Sequence, residues 1–215
     1  MKRAIGIFGA LLVVAMGTTF FVARVDAVNK AYPEQHSFIF PMHEPMPDPR
    51  ASALDNSDDP SSKGDITVTV DAFFSCDYEG LKTIVPGYTN ALVESGDAGE
   101  LRAYFVDVIF SNTADQPRRF SLDLDLVADY WTNGLALDLC QRITENEGLT
   151  NELAAGTKRK VRLVYLSYDI QFNSDLEWQK QATRDFSLVI GAYPDKCLTE
   201  LGKPKPYQAG SWGDA

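Results

Sequence analysis

Leu101–Leu126, LRAYFVDVIFSNTADQPRRFSLDLDL, reads as two strands joined by a turn. Tyr104, Val106, Val108 and Phe110 share one face of the first strand, and Phe120, Leu122, Leu124 and Leu126 share one face of the second. Polar residues mostly separate them, which is the period-two alternation of strands that bury one side. Between the two runs, Ser111-Asn112-Thr113-Ala114-Asp115-Gln116-Pro117 combines short side chains that bond their own backbone with a proline that locks φ. The chain should reverse there and form a hairpin.

The flanking sequence continues the same pattern. Upstream, Ile66, Val68, Val70, Ala72 and Phe74 alternate with Thr67, Thr69, Asp71 and Phe73, predicting a strand that ends near Cys76. A long connection, Asp77–Glu100, follows it, with one helical turn expected at Asn90–Glu94. Downstream, Asn133-Gly134 is a tight-turn signal with Leu135, Leu137 and Leu139 alternating beyond it. Further strands are expected at Val161–Ile170, Phe186–Ile190 and Cys197–Leu201, with a polar loop through Trp178. About seven short strands and no long amphipathic helix predict an all-β fold, an immunoglobulin-like antiparallel β-sandwich spanning 65–201. The tail 202–215 has no periodicity and is expected to be disordered.

The N-terminal third has a different composition. Lys2 and Arg3 precede an uncharged apolar run of about twenty residues, enough for one bilayer crossing. Segment 1–28 therefore reads as a transmembrane anchor, with the basic start in the cytoplasm and the rest of the chain outside it. The competing reading is a cleaved signal peptide, since Val25-Asp26-Ala27 offers small residues where a signal peptidase cuts, and the protein would then be secreted. Segment 29–64, with Pro33, Pro41, Pro45, Pro47, Pro49 and Pro60, reads as a stiff stalk. Ser37-Phe38-Ile39-Phe40 within it is apolar enough to add an edge strand to the sandwich. The acidic run Asp55–Asp59 spaces oxygens like a calcium loop, but Pro60 stands where glycine is required and Ile66 where a bidentate glutamate is required.

A formal net charge of −10 argues against a nucleic-acid partner, because phosphate binding needs a clustered basic surface, and argues equally against an anionic membrane surface. The two histidines, His36 and His43, both fall in the stalk, where no third group would orient them against a nucleophile. No His or Cys pair has metal-ligand spacing, so no metal or other cofactor is expected. Asp123, Asp125 and Asp129 are the plausible acids for glycoside chemistry. Asp123 and Asp125 alternate with core leucines, however, and read as decoration of an outer face. No catalytic residue is therefore assigned, and the expected activity is non-catalytic. Tyr130, Trp131 and Trp178 are the candidate ligand-binding residues, as aromatic rings at loop tips facing a protein or sugar, with inward packing as the alternative.

Three cysteines in an exported domain should be oxidised where geometry permits. If the strands run alternately up and down, Cys140 and Cys197 come to the same end of the sandwich and Cys76 to the other. A Cys140–Cys197 disulfide is the expected pairing.

Three features stand together: the strand ending in an asparagine turn, Val106–Thr113, the loop Leu153-Ala154-Ala155-Gly156-Thr157 entering a strand, and the close Phe186–Ile190 followed by Leu198–Leu201. In these the chain resembles the telokin-like, immunoglobulin-fold domains of unknown function in surface proteins of Gram-positive bacteria. The resemblance spans Asp65 to Leu201. It implies an exported, anchored, non-enzymatic module whose partners are generally unknown. The apolar N-terminus, the stalk and the absence of a catalytic set point to a membrane-anchored extracytoplasmic module that binds a protein or cell-envelope component. The alternative from another class is a secreted carbohydrate-binding or glycoside-acting protein that uses the loop aromatics and carboxylates.

Overall fold

The computed structural model describes residues 36–54, 64–129, 131–144, 148–191 and 196–208. The chain divides into two units, Met1–His36 and Ser37–Ala215, and the second is a β-sandwich. One sheet is built on three long antiparallel strands, β3 (Ile66–Asp77), β4 (Leu101–Asn112) and β9 (Lys158–Tyr168). Two short strands lie on the free edge of β3: β2 (Met46–Pro47) antiparallel and β12 (Lys205–Pro206) parallel. The facing sheet runs β1 (Ser37–Pro41), β11 (Lys196–Gly202), β10 (Phe186–Gly191), β6 (Asp125–Ala128) and β7 (Trp131–Asn133). Tyr104, Val106, Val108 and Phe110 of β4 meet Leu126, Phe186, Leu188 and Ile190 of the facing sheet in one buried core. These are the inward residues expected from the alternation of Leu101–Leu126.

The hairpin expected there does not form as a ladder. The chain does reverse after Asn112, but β4 has only two edges, and β3 and β9 occupy both along almost its whole length. The following strand, β5 (Arg118–Ser121), pairs instead with β8 (Thr150–Leu153) as a separate two-stranded sheet. It lies against the main core, so Phe120 still meets Phe110, with ring centroids 4.4 Å apart. Asn112 holds the crossing together. Its side-chain amide donates to the carbonyls of Gln116, Leu153 and Ala154, and its oxygen accepts from the Ala114 N–H. The asparagine turn and the Leu153–Thr157 loop are thus two sides of one buried polar junction.

A bulge in β3 divides its pattern. The pairing with β4 shifts between Val70 and Ala72, which makes Asp71 the extra residue and changes the phase of the strand. Ile66, Val68 and Val70 point into the main core before the bulge, and Phe73 points there after it. Ala72, Phe74 and Cys76 consequently face the other side of the sheet, unlike the continuous alternation expected from sequence. That outer face carries a helical layer. It comprises α2 (Tyr78–Ile84), the single turn α3 (Ala91–Glu94) and α4 (Leu137–Ile143). Leu81, Val85, Tyr88, Leu139 and Cys140 pack there against Phe74, Ala103, Phe105 and Val164. The turn at Asn90–Glu94 forms as expected, with Asn90 capping the N–H groups of Leu92 and Val93. Leu137 and Leu139 are helical instead of extended. The third leucine spacing, which alternates in a strand, also fits helix positions when the next apolar residues are Cys140 and Ile143.

Between Ser37 and Leu54 the proline-rich segment is not a free stalk. Ser37-Phe38-Ile39-Phe40 does add an edge strand, β1, parallel to β11. Asp48, fully buried, receives a forked pair of bonds from Arg50, which also donates to the carbonyls of Ser121 and Asp123. This straps the segment to the β5–β6 crossing, beside a single helical turn, α1 (Ala51–Leu54). The tail is ordered further than expected, because Tyr207 donates its N–H to Ser75 and its ring meets Phe74 at 5.5 Å. Among the described residues no helix is long and apolar enough to cross a membrane. The apolar run of segment 1–28 and the acidic run Asp55–Asp59 lie outside the described residues.

Candidate functional site

The edge of β3 is covered at its start by β2 and at its end by β12, and between them the bulge opens a cleft of about 480 Å³. Its apolar floor includes Met42, Phe73, Phe74, Leu201 and Pro206, and its polar rim is His43, Asp71, Lys203, Lys205 and Gln208. Two departures from regular backbone meet here. One is the extra residue Asp71, and the other is His43, whose φ of 70° is uncommon for a residue with a Cβ. His43 is held in that conformation by its N–H, which donates to the Val70 carbonyl at 2.9 Å. Strain and bulges of this kind concentrate where a fold must re-aim side chains.

The rim is basic on an acidic chain. Asp71 forms an ion pair with Lys160 at 2.9 Å and faces the His43 ring nitrogen at 3.9 Å. Lys203 and Lys205 add two exposed ammonium groups to the rim, and the charge of Asp71, its one carboxylate, is already answered by Lys160 from outside the cleft. A local reversal of sign within a protein of net charge −10 focuses anions towards one place. The signal was present in Gly202-Lys203-Pro204-Lys205-Pro206, where two lysines two positions apart on an extended chain point the same way. His43 and Asp71 carried no such signal, since their meeting depends on the bulge and on the return of the proline-rich segment.

The residues singled out as ligand contacts are placed differently. Trp131 is a strand residue of β7, buried against Tyr104 and Phe186. Trp178 lies on a helix, α5 (Asp175–Gln181), where a polar loop was expected; Ser174 caps that helix. The indole of Trp178 donates to Glu100, and the Arg102 guanidinium stacks over its ring at 4.4 Å. Both tryptophans are therefore packing residues and present no face to a ligand. Tyr130 lies outside the described residues. The sharp turn comes at Asp129, whose φ is 49°, in place of the expected Asn133-Gly134. Asp123 and Asp125 are exposed, as expected for outer-face residues. Partial burial and the neighbouring Asp123 raise the Asp125 pKa above the ordinary carboxylate value.

The expected Cys140–Cys197 disulfide is not formed. Cys140 sits in α4 on the outer face of the long-stranded sheet, whereas Cys197 packs against the core between the two sheets. The up-and-down order behind the pairing fails because the chain changes sheet repeatedly and enters two edges in parallel. Cys140 instead accepts the Val164 N–H at 3.2 Å. Burial raises both the Cys140 and Cys76 thiols to about 12.

No protein-family model matches the chain, and no curated protein matches it. Among solved structures it is similar to an uncharacterised β-sandwich protein from Clostridium difficile 630, with 13% identity and a TM-score of 0.41 over 78% of this chain and 96% of that one. It is also similar to a functionally unknown protein from Listeria monocytogenes EGD-e, with 10% identity and a TM-score of 0.43 over 65% of this chain and 78% of that one.

Proposed function

We propose that this protein is a non-catalytic, extracytoplasmic binding module, anchored through segment 1–28, whose cleft at the β3 bulge takes an amphipathic anion of the cell envelope. The observation that carries this reading is the basic rim over an apolar floor on a strongly acidic chain. Lys203 and Lys205 would meet the anionic head, and Met42, Phe73 and Leu201 the apolar body. Pockets that bind small molecules combine an apolar lining with a few convergent polar groups in this way. The finer resemblance to telokin-like, immunoglobulin-fold surface domains agrees with this role. A carbohydrate site built on Trp131 and Trp178 is disfavoured, because both rings are used in the core.

The test is titration calorimetry of the full-length chain with two short-chain probes, dihexanoyl-phosphatidylglycerol and zwitterionic dihexanoyl-phosphatidylcholine. The anionic probe should bind, and Lys203→Glu with Lys205→Glu should weaken it at least about tenfold, the equivalent of about 1.4 kcal/mol. Equal binding of both probes, or affinity indifferent to the lysines, defeats the proposal.

A further inference from the structure

A second cleft, of about 510 Å³, opens on the outer face of the long-stranded sheet between the ends of α2 and α4. Its apolar walls are Ile84, Val85 and Pro86 on one side and Ile143 on the other. Its polar groups are Thr83, Tyr207, Arg142 and Arg162. The two arginines differ in state. Arg162 is almost completely buried and locked in a fork on Asp107, with bonds of 2.6 and 2.8 Å and its guanidinium 4.6 Å over the Phe74 ring. Its charge is answered from within the fold. Arg142 is exposed in the last turn of α4, and among the described residues no carboxylate lies within ion-pair distance of it.

A basic residue in a last helical turn is favoured by the partial negative charge of the helix end. That diffuse charge offers no partner to the planar fork of N–H donors, which a carboxylate fits with two parallel bonds. We infer that this cleft is a separate site for a small carboxylate with an apolar body, the carboxylate on Arg142 and the body against Ile84, Pro86 and Ile143. The volume falls within the range of ligand pockets, and the locked Arg162–Asp107 pair gives the floor a fixed shape. The site shares no lining residue with the cleft at the bulge, and it stands or falls independently of the function proposed there.

The probes are 3-phenylpropionate and its uncharged amide, 3-phenylpropanamide, titrated into the isotopically labelled full-length chain and followed by amide chemical shifts. Shifts should concentrate at Thr83–Val85, Arg142, Ile143 and Tyr207, with the carboxylate binding about tenfold more tightly than the amide, or better. Arg142→Gln should remove that preference while leaving the weaker binding of the amide in place, and Arg142→Lys should keep part of it. Shifts from both probes that map elsewhere, no binding of the carboxylate, or a preference that survives Arg142→Gln would overturn the inference.

Discussion

Asp107→Asn is the perturbation that most directly tests how the sandwich is held together. Asp107 on the central strand β4 and Arg162 on its neighbour β9 stand directly opposite each other, with side chains only 5% and 2% exposed. Replacing the carboxylate with an amide leaves a guanidinium in a low-dielectric site without its counter-charge. The cost of breaking such a pair is about 3–5 kcal/mol, against at most about 1 kcal/mol for an exposed pair. In a unit of this size each kcal/mol corresponds to about 2–4 °C, so the melting temperature should fall by about 6–20 °C. Urea unfolding followed by the fluorescence of Trp131 and Trp178 measures it, with the m-value unchanged. The double replacement Asp107→Leu with Arg162→Met should recover most of the loss, since the charge that remained exposed to apolar surroundings is removed with its partner. A loss under about 1 kcal/mol for the single variant, or a double variant as unstable as the single one, would refute the reasoning.

Three further outcomes follow from the structure. Gln181 is fully buried and neither atom of its amide has a hydrogen-bond partner, so Gln181→Met should stabilise the protein by about 1–3 kcal/mol in the same urea assay. A Cβ on Gly191 would collide with the ring of Pro49, so Gly191→Ala should cost about 1–3 kcal/mol and make the Pro45–Leu54 strap more sensitive to limited proteolysis. The Cys140 and Cys76 thiols, raised from 9.0 to about 12 by burial, should react with a thiol reagent at pH 8 about a thousandfold more slowly in the folded protein than after unfolding. Because the folded values lie above the unfolded ones, their contribution to stability is intact below pH 9.0 and declines as pH rises from there towards about 12.

The inward face of β4 was legible from the alternation of Tyr104, Val106, Val108 and Phe110, but Phe105 between them already signalled that the other face is covered too, by the helical layer. The partner of β4 was not legible, since alternation states which face is buried and says nothing about which strand lies alongside. Phe120 illustrates the difference: its burial against Phe110 was readable, but its ladder belongs to β8. Short helices were missed for a related reason. α2, α4 and α5 have seven residues each, too few for a helical period to stand out from loop sequence, and they are stabilised by packing on the sheet and by caps such as Asp77 and Ser174. Trp178 stands in a polar stretch that reads as a loop, and the one helix signal there is Ser174, four residues before it, which caps α5.

The candidate site was less legible than the fold because it depends on a single inserted residue. Without the bulge, β3 would keep one phase, Phe73 would lie on the outer face, and Asp71 would have no reason to leave the ladder. With it, Phe73 enters the core, Phe74 turns beneath Tyr207 and the Arg162 guanidinium, and Asp71 is released to meet Lys160 and His43. The same residue therefore sits in the gap that β2 and β12 leave on the edge of β3 and supplies the carboxylate that pairs with Lys160. Deleting Asp71 should restore a regular ladder with β4, and it should abolish the preference for the anionic probe through loss of the cleft's shape. Replacing Asp71 with asparagine keeps the bulge and removes only a negative charge from the rim, so anion affinity should rise. Opposite signs from these two changes at one position would separate the geometry of the bulge from its charge, and a fall in affinity for both would show that Asp71 itself makes an essential contact.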